Sequence, residues 1–176
     1  MPDRLIVLNG TPGAGKTTLA RPLAAELGVP VVSKDAIKEA LSEAVETKLP
    51  TRAIGAVAAD VLWQIVAMLD GTVLVESAWM AGRDEEWFRR GWSSAGSPVG
   101  LEVWCEAPRD VMRARYRSRP RHAVHDDSAR LAEWESWADA GRPMTGLPVL
   151  AVDTSSPVDI VVLARRIERS RFGTGR

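Results

Sequence analysis

The octapeptide GTPGAGKT at residues 10–17 constrains the fold more than any other feature of this sequence. An apolar run at residues 5–8 precedes it, and Leu19, Leu23 and Leu27 follow it at helical spacing. Glycines at these positions let backbone N–H groups turn inward around an anion, and the N-terminus of the following helix adds its dipole. The sequence therefore predicts a phosphate-binding loop between a strand and a helix.

Each position of this loop has a predicted role. The ammonium group of Lys16 neutralises the β and γ oxygens of a nucleotide, and the hydroxyl group of Thr17 is a Mg²⁺ ligand. Only four lysines stand beside nineteen arginines in the chain, which indicates that a point charge is needed at Lys16. A plain glycine-rich turn would explain neither side chain. The predicted nucleotide contacts are Gly10, Thr11, Pro12, Gly13, Ala14, Gly15, Lys16, Thr17 and Thr18.

The pattern of apolar runs predicts an α/β fold, a three-layer sandwich with a five-stranded parallel sheet. The runs have no alternation, as is typical of strands that are covered on both faces. Predicted strands lie at residues 5–8, 29–32, 72–75, 101–105 and 149–152. Predicted helices lie at residues 17–27, 36–45, 54–69, 84–90, 108–119 and 128–138, and a last helix has Ser156 as its N-cap, Pro157 at its first position and Asp159 at the capping-box position.

Length and composition indicate one domain over residues 1–176. The chain has 23 basic and 23 acidic side chains, and this balance disfavours nucleic acids or a membrane surface as partners. No apolar run is long enough to span a bilayer. A single cysteine, Cys105, cannot form an internal disulfide, so we expect a cytoplasmic protein. The sequence leaves the oligomeric state open.

Residues 109–121 concentrate positive charge, with six arginines and one aspartate, so the rest of the chain is net acidic. Arg115 and Arg119 are four residues apart and share one helix face, and Arg113 and Arg117 share another. Like charges at this spacing destabilise a helix, which favours a phosphate as their target. The alternative is a solvated basic face that pairs with acidic neighbours. Those neighbours are Asp126, Asp127, Glu133 and Glu135.

The loop, the order of elements and the arginine segment together resemble the small P-loop kinases of the nucleoside-monophosphate-kinase-like group. The resemblance is to the branch that holds the kinase domain of polynucleotide kinase, the gluconate kinases, chloramphenicol phosphotransferase and the zeta toxins. It extends over nearly the whole chain. It implies a P-loop NTPase fold with a helical lid at about residues 109–128, and transfer of phosphate from ATP with Mg²⁺.

The resemblance also implies roles for two carboxylates. Asp35, within the segment VVSKDAIK at residues 31–38, matches the acidic residue that accepts the proton of the attacking hydroxyl in several relatives. As an alternative, Asp35 is the N-cap of the following helix. Glu76 ends a run that is similar to a Walker B strand, whose acid holds a Mg²⁺-bound water. The alternative for Glu76 is a buried polar residue in contact with Ser77 or Thr17.

The predicted lid supplies further candidates. Lids in the resembling kinases bring arginines to the transferring phosphoryl group and exclude water. By this resemblance Arg115 and Arg119 contact the phosphates, and Arg121 and His122 are the next candidates. His122 and His125 form a possible metal pair, but the simpler interpretation is that they add polarity to the lid.

Tryptophans predict where an acceptor binds. Trp79 and Trp87 follow the third predicted strand, in a segment that contributes to the acceptor pocket of the resembling kinases, and Arg83 lies between them. Each tryptophan also fits an ordinary core position. Trp134 and Trp137, three residues apart, have the spacing of a buried helix stripe. The predicted acceptor contacts are Asp35, Trp79, Arg83 and Trp87.

The leading hypothesis is an ATP- and Mg²⁺-dependent phosphotransferase that acts on a hydroxyl group of a sugar acid, a nucleoside or an antibiotic. Lys16, Asp35, Arg115 and Arg119 are its predicted catalytic residues, and Thr17 and Glu76 its predicted metal ligands. Two alternatives stay open. One is a polynucleotide 5′-hydroxyl kinase, which the acidic remainder of the chain disfavours. The other is a nucleotide-binding regulatory module without transfer activity.

Overall fold

The computed structural model describes residues 1–120, 122–126, 130–143 and 145–174. Within these residues the chain forms six strands and seven helices. The strands are β1 Pro2–Asn9, β2 Val31–Ser33, β3 Gly71–Glu76, β4 Val99–Glu106, β5 Val149–Asp153 and β6 Gly173–Thr174. The helices are α1 Lys16–Leu27, α2 Lys34–Glu43, α3 Thr51–Ala67, α4 Glu85–Ser94, α5 Arg109–Ser118, α6 Leu131–Asp139 and α7 Ile160–Arg169, with a 3₁₀ turn at Ala123–His125.

The sheet has the strand order β2-β3-β1-β4-β5, and every pairing along this path is parallel. This confirms the predicted α/β architecture. A sixth strand was not predicted: β6 pairs antiparallel with the start of β4, where Thr174 lies opposite Val99. A strand of two residues is too short to carry a periodic pattern. Since β1 lies in the middle of the sheet, the loop that follows it lies at the centre of the carboxyl edge, where open α/β sheets bind ligands.

Alternate side chains of β1 enter two different cores. Ile6 and Leu8 pack on one face with α1 and α7, and Leu5 and Val7 pack on the other face with α3 and α4. The second core contains a cluster of aromatic rings whose centroids lie between 5.4 and 6.5 Å apart. These rings belong to Trp63, Trp79, Phe88 and Trp92. None of the helices in the described ranges is long and apolar enough to cross a membrane.

The start of the last helix differs from the prediction. Asp159, rather than Ser156, is the N-cap of α7, and its carboxylate accepts a hydrogen bond of 3.0 Å from the backbone N–H of Val162. Aspartate caps a helix as well as serine does, and a start at residue 160 still buries Ile167 in the core. The predicted start of α6 at Ser128 lies outside the described residues.

Candidate active site

Glycines at two positions give the phosphate-binding loop its shape. Gly13 has a positive φ of 94°, and a Cβ there would collide with the carbonyl oxygen of Met112 in α5. A Cβ on Gly10 would collide with the carbonyl oxygen of Cys105 in β4. Any other residue at these positions would push the loop away from its neighbours. The loop is therefore held between β4 and α5.

Helix α6 covers the outer side of the loop. The fully buried indole of Trp134 donates a hydrogen bond of 2.9 Å to the carbonyl oxygen of Pro12. Its ring lies beside that of Tyr116 in α5, with centroids 6.4 Å apart. Trp134 thus fits the predicted buried stripe and also fixes the loop. Trp137, its predicted companion, is only partly buried.

Lys16 is the first residue of α1, and its side chain reaches back to the loop. Its ammonium group donates hydrogen bonds to the carbonyl oxygens of Gly10 at 2.8 Å and Thr11 at 3.1 Å. Burial lowers the pKa of Lys16, and the negative charge of nearby Glu76 opposes that shift. A buried ammonium that has exchanged water for loop carbonyls gains further from an anion bound in the loop.

Glu76 ends β3 directly beside the start of α1. It is almost completely buried, with 1% of its surface exposed. Its Oε1 accepts a hydrogen bond of 3.3 Å from the hydroxyl of Thr17, and its Oε2 accepts one of 2.6 Å from the hydroxyl of Ser33. Burial raises the pKa of Glu76, and Lys16 counteracts this effect. Carboxylate and hydroxyl oxygens are the donors that Mg²⁺ prefers, so Thr17 and Glu76 fit that ion.

A cavity of about 370 Å³ opens in front of these side chains. Asp35, in the first turn of α2, lines it together with Lys16 and Glu76. The N-cap of α2 is Ser33, so the alternative role of Asp35 as a cap is wrong. The predicted nucleotide, metal and catalytic residues that line this cavity are Pro12, Gly13, Gly15, Lys16, Thr17, Thr18, Asp35, Glu76, Arg115 and Arg119. The predicted contacts outside its lining are Gly10, Thr11 and Ala14, which are buried.

Arg115 of α5 and Arg119, the C-cap residue just after this helix, both line this cavity. One guanidinium nitrogen of Arg115, Nη2, donates a hydrogen bond of 2.9 Å to the carbonyl oxygen of Thr154, in the loop after β5. The other, Nη1, is buried and has no hydrogen-bond partner among the described residues. An unsatisfied buried donor beside the phosphate-binding loop is a natural partner for a phosphate oxygen. Arg121 lies outside the described residues.

The arginines on another face of α5 bind α6 instead. Arg109 contacts Glu135 at 2.7 Å and Asp139 at 2.6 Å, and Arg113 contacts Glu135 at 2.9 Å. The alternative interpretation, a basic face that pairs with acidic neighbours, therefore holds for Arg109 and Arg113, whereas phosphate contacts of Arg115 and Arg119 stay a prediction. Part of the charge pairs with acidic neighbours, and part lines the cavity.

The two histidines contact other groups of the protein. The buried ring of His125 is 2.7 Å from a carboxylate oxygen of Glu39. His122 uses Nδ1 to accept a hydrogen bond from the backbone N–H of Val124 and so caps the 3₁₀ turn. Within the described part of the chain, no group of three or more His, Cys, Asp or Glu side chains forms a metal centre.

A second cavity, also of about 370 Å³, adjoins the first. Three predicted acceptor contacts line it. Trp79 is nearly buried in the aromatic core, Trp87 is 42% exposed, and Arg83 forms an ion pair of 2.6 Å with Asp84. The two cavities adjoin, because four residues line both of them. These residues are Lys34, Arg83, Arg130 and Trp137.

Sequence reasoning missed several of these side chains. Lys34 and Arg130 carry no motif, and the spacing of Trp137 suggested a buried position. One signal was present: Arg52, Gly55, Ala56 and Ala59 have the i, i+3, i+4, i+7 spacing of one helix face, and all four line the second cavity. A helix face with three small residues indicates space beside it.

A buried hydrogen-bond network behind the loop was also missed. The side-chain oxygen of Asn9 accepts from the backbone N–H groups of Gly10 at 2.7 Å and Trp79 at 3.0 Å. Its amide nitrogen donates to the carbonyl oxygen of Trp79 at 3.2 Å and to Glu102 at 2.9 Å. The other carboxylate oxygen of Glu102 accepts from both the N–H and the hydroxyl of Thr145. This network ties the phosphate-binding loop to the segment after β3.

A phosphate-binding loop after the central strand of a sheet ordered 2-3-1-4-5, with an arginine-bearing helix beside it, defines a P-loop kinase of the nucleoside-monophosphate-kinase-like group. The chain belongs to the AAA domain family, whose model matches residues 5–143. No curated protein matches this sequence.

Solved structures agree with this assignment. A protein described as a "putative kinase" from Chloroflexus aurantiacus is 26% identical, with a TM-score of 0.78, and the match covers 94% of this chain and 97% of that one. The APS kinase CysC of Mycobacterium tuberculosis, in complex with AMPPNP and APS, shares the fold at 17% identity and a TM-score of 0.61, over 94% and 95% of the two chains. Kti12 of Chaetomium thermophilum, in complex with ADP-AlF3, also shares the fold. It is 17% identical with a TM-score of 0.63, and the match covers 93% of this chain and 97% of that one. Fold and family support a nucleotide-dependent kinase.

Proposed function

We propose that this protein transfers the γ-phosphate of ATP to a hydroxyl group of a small molecule in a Mg²⁺-dependent reaction. The observation that carries the proposal is the adjacency of the two cavities. One is lined by the phosphate-binding loop, Asp35 and Arg115, and the other holds the predicted acceptor contacts Trp79 and Trp87. A module that only bound nucleotide would need no second cavity that adjoins the first.

The transfer step follows from the positions of the charged groups. The acceptor oxygen forms a bond to the γ-phosphorus while the bond from that phosphorus to the β,γ-bridging oxygen breaks. The proton of the acceptor hydroxyl passes to the carboxylate of Asp35. Lys16, Arg115 and Arg119 balance the negative charge of the phosphoryl oxygens. Thr17 and Glu76 would hold Mg²⁺, which would supply positive charge to offset that of the phosphate groups.

The family also supports the choice of ATP. The APS kinase of the same fold is described in complex with AMPPNP, an ATP analogue.

Thr154, in the loop after β5, contacts both Arg115 and the phosphate-binding loop. Its carbonyl oxygen accepts a hydrogen bond from Arg115, and its hydroxyl donates to the carbonyl oxygen of Ala14 at 3.0 Å. The loop after β5 is thereby fixed against the phosphate-binding loop.

Turnover assays with two variants test the proposal. ATP, Mg²⁺ and a library of hydroxylated small molecules are incubated with the protein, and ADP and phosphorylated product are measured. We expect Asp35→Asn to lower transfer by about 10²–10⁴-fold while nucleotide affinity stays near that of the parent protein. Lys16→Ala should lower both transfer and nucleotide affinity. Asp60→Asn, at an exposed position of α3, is the matched control for Asp35. Full activity in both Lys16→Ala and Asp35→Asn would refute the proposal.

A further inference from the structure

One face of α3 keeps the second cavity open. Gly55, Ala56 and Ala59 line it and leave room where larger side chains would fill it. Gly55 lies in the interior of a helix, where glycine is less favourable than alanine by about 1 kcal/mol. A Cβ added there would meet Lys38 Cε at 3.9 Å, an ordinary contact. Local packing therefore does not demand glycine, and the small residues indicate a space that is used.

Among the described residues, the wall of this space carries more positive than negative charge. Three arginines share two carboxylates. Arg83 pairs with Asp84 at 2.6 Å. Glu133 pairs with Arg52 at 3.0 Å and with Arg130 at 3.4 Å. The ammonium group of Lys34 makes no ion pair within the described ranges. The charged side chains of the described lining are Lys34, Arg52, Arg83, Arg130, Asp84 and Glu133.

Two of these cations, Lys34 and Arg130, are only partly compensated. Burial lowers the pKa of Lys34, and the charges of Asp84 and Asp35 oppose this without contacting it as ion pairs. The guanidinium of Arg130 lies 4.5 Å over the ring of Trp137, and its Nε is buried without a hydrogen-bond partner among the described residues. A desolvated cation is unfavourable until an anion approaches it. The cavity is therefore electrostatically complementary to a negatively charged group.

We propose that the second cavity selects acceptors that carry an anionic group, namely a carboxylate, a sulfate or a phosphate ester, and that Lys34, Arg52 and Arg130 hold this group. The inference rests on the proposed function and narrows its substrate class. Lys34 and Arg130 also line the first cavity, so an acceptor held by them reaches towards Asp35 with its hydroxyl. The indoles of Trp87 and Trp137 provide flat apolar surface for its carbon skeleton.

Binding of matched pairs tests this inference without turnover. The pairs are 3-hydroxybenzoate with 3-hydroxybenzamide, gluconate with glucose, and adenosine 5′-phosphate with adenosine. Each is titrated by calorimetry into the protein saturated with AMPPNP and Mg²⁺, so that the nucleotide site is filled. We expect the anionic member of at least one pair to bind about tenfold or more tightly than its neutral partner, with an affinity that falls as salt is added.

Two variants locate the effect. Arg130→Gln should reduce the preference for the anionic member by about three- to tenfold and leave the neutral member unchanged. Arg89→Gln, at an exposed position of α4 outside both cavities, should leave the preference intact. Equal loss in the two variants would overturn the inference.

The remaining outcomes separate this inference from the proposed function. Equal binding of charged and neutral members, no binding of any member at about 10 mM, or displacement of AMPPNP by the anion would overturn the anionic acceptor site. If phosphate is transferred to neutral acceptors and this transfer depends on Lys16 and Asp35, the proposed kinase activity is supported and the proposed selectivity for anionic acceptors is refuted. Selective binding of an anion that depends on Arg130, with no transfer to any acceptor, would preserve the site and refute the kinase.

Discussion

The buried network behind the phosphate-binding loop predicts a strong coupling between two substitutions. Asn9→Asp keeps the oxygen that accepts from the N–H groups of Gly10 and Trp79, but it removes both donor bonds of the amide. It also places a second carboxylate against Glu102, where Asn9 Nδ2 lies 2.9 Å from Oε1. Two lost buried hydrogen bonds and an uncompensated charge predict a loss of roughly 3–5 kcal/mol in the free energy of unfolding.

Glu102→Gln creates the opposite mismatch. If its amide oxygen keeps the two hydrogen bonds from Thr145, its amide nitrogen faces the amide nitrogen of Asn9, and two donors meet. We expect a loss of roughly 1–3 kcal/mol. In the double variant, the glutamine amide donates to the new aspartate, and only the carbonyl oxygen of Trp79 loses its donor. The double variant should therefore be more stable than Asn9→Asp alone, with a coupling energy of roughly 2 kcal/mol or more.

Urea unfolding of the parent protein, both single variants and the double variant measures this coupling. The slope of the free energy against urea must stay constant for the four values to be compared. A double variant that is no more stable than Asn9→Asp would refute the assignment of these hydrogen bonds. If Asn9→Asp fails to fold, recovery of a cooperative transition in the double variant gives the same information.

Two further predictions concern the two cavities. Since burial raises the pKa of Glu76 above its unfolded-state value, near 4.5, ionisation penalises the native state as pH rises past that value. Glu76→Gln should therefore increase the free energy of unfolding more at pH 7 than at pH 4, while Mg²⁺-dependent transfer falls; an equal change at both pH values would contradict this. Ala59→Leu should fill part of the second cavity and weaken acceptor binding about tenfold at unchanged ATP affinity, because the larger side chain would occupy space that the acceptor needs. Ala53→Leu, at an exposed position of the same helix, should change neither, and equal kinetics of the two variants would exclude the cavity as the acceptor site.

Local patterns were sufficient to predict the fold. Buried parallel strands are continuous apolar runs, so each of the five parallel strands overlaps a predicted run. The glycine pattern placed the phosphate-binding loop because a tight anion-binding turn restricts nearly every position. Where two nearby side chains satisfy the same local rule, sequence does not decide between them. Ser156 and Asp159 both suit an N-cap, and the packing of α7 selects the second.

The parts of the site that sequence missed depend on distant contacts. Asn9 reaches Trp79 and Glu102 across 70 and 93 residues of chain, and no local pattern marks such a pair. Glu102 is a charged residue within the apolar strand β4, and the local sequence does not indicate that its side chain has a buried partner. Lys34 and Arg130 acquire significance only when folding brings α2 and the start of α6 to one cavity. Motifs predict the groups that hold a common ligand, whereas the acceptor site is a product of tertiary packing.

The arginines of α5 show how the fold divides a charge excess. Arg109 and Arg113 are four residues apart, and Glu135 contacts both, which relieves their mutual repulsion and holds α6 over the loop. Arg119 is the C-cap residue after α5 and has an extended backbone, so it does not continue the helical spacing from Arg115, but both residues line the first cavity. One nitrogen of Arg115 is buried without a hydrogen-bond partner among the described residues, so this end of the helix gains from an anion bound in the first cavity. A bound triphosphate would therefore interact favourably with both arginines, and nucleotide binding should stabilise the folded protein.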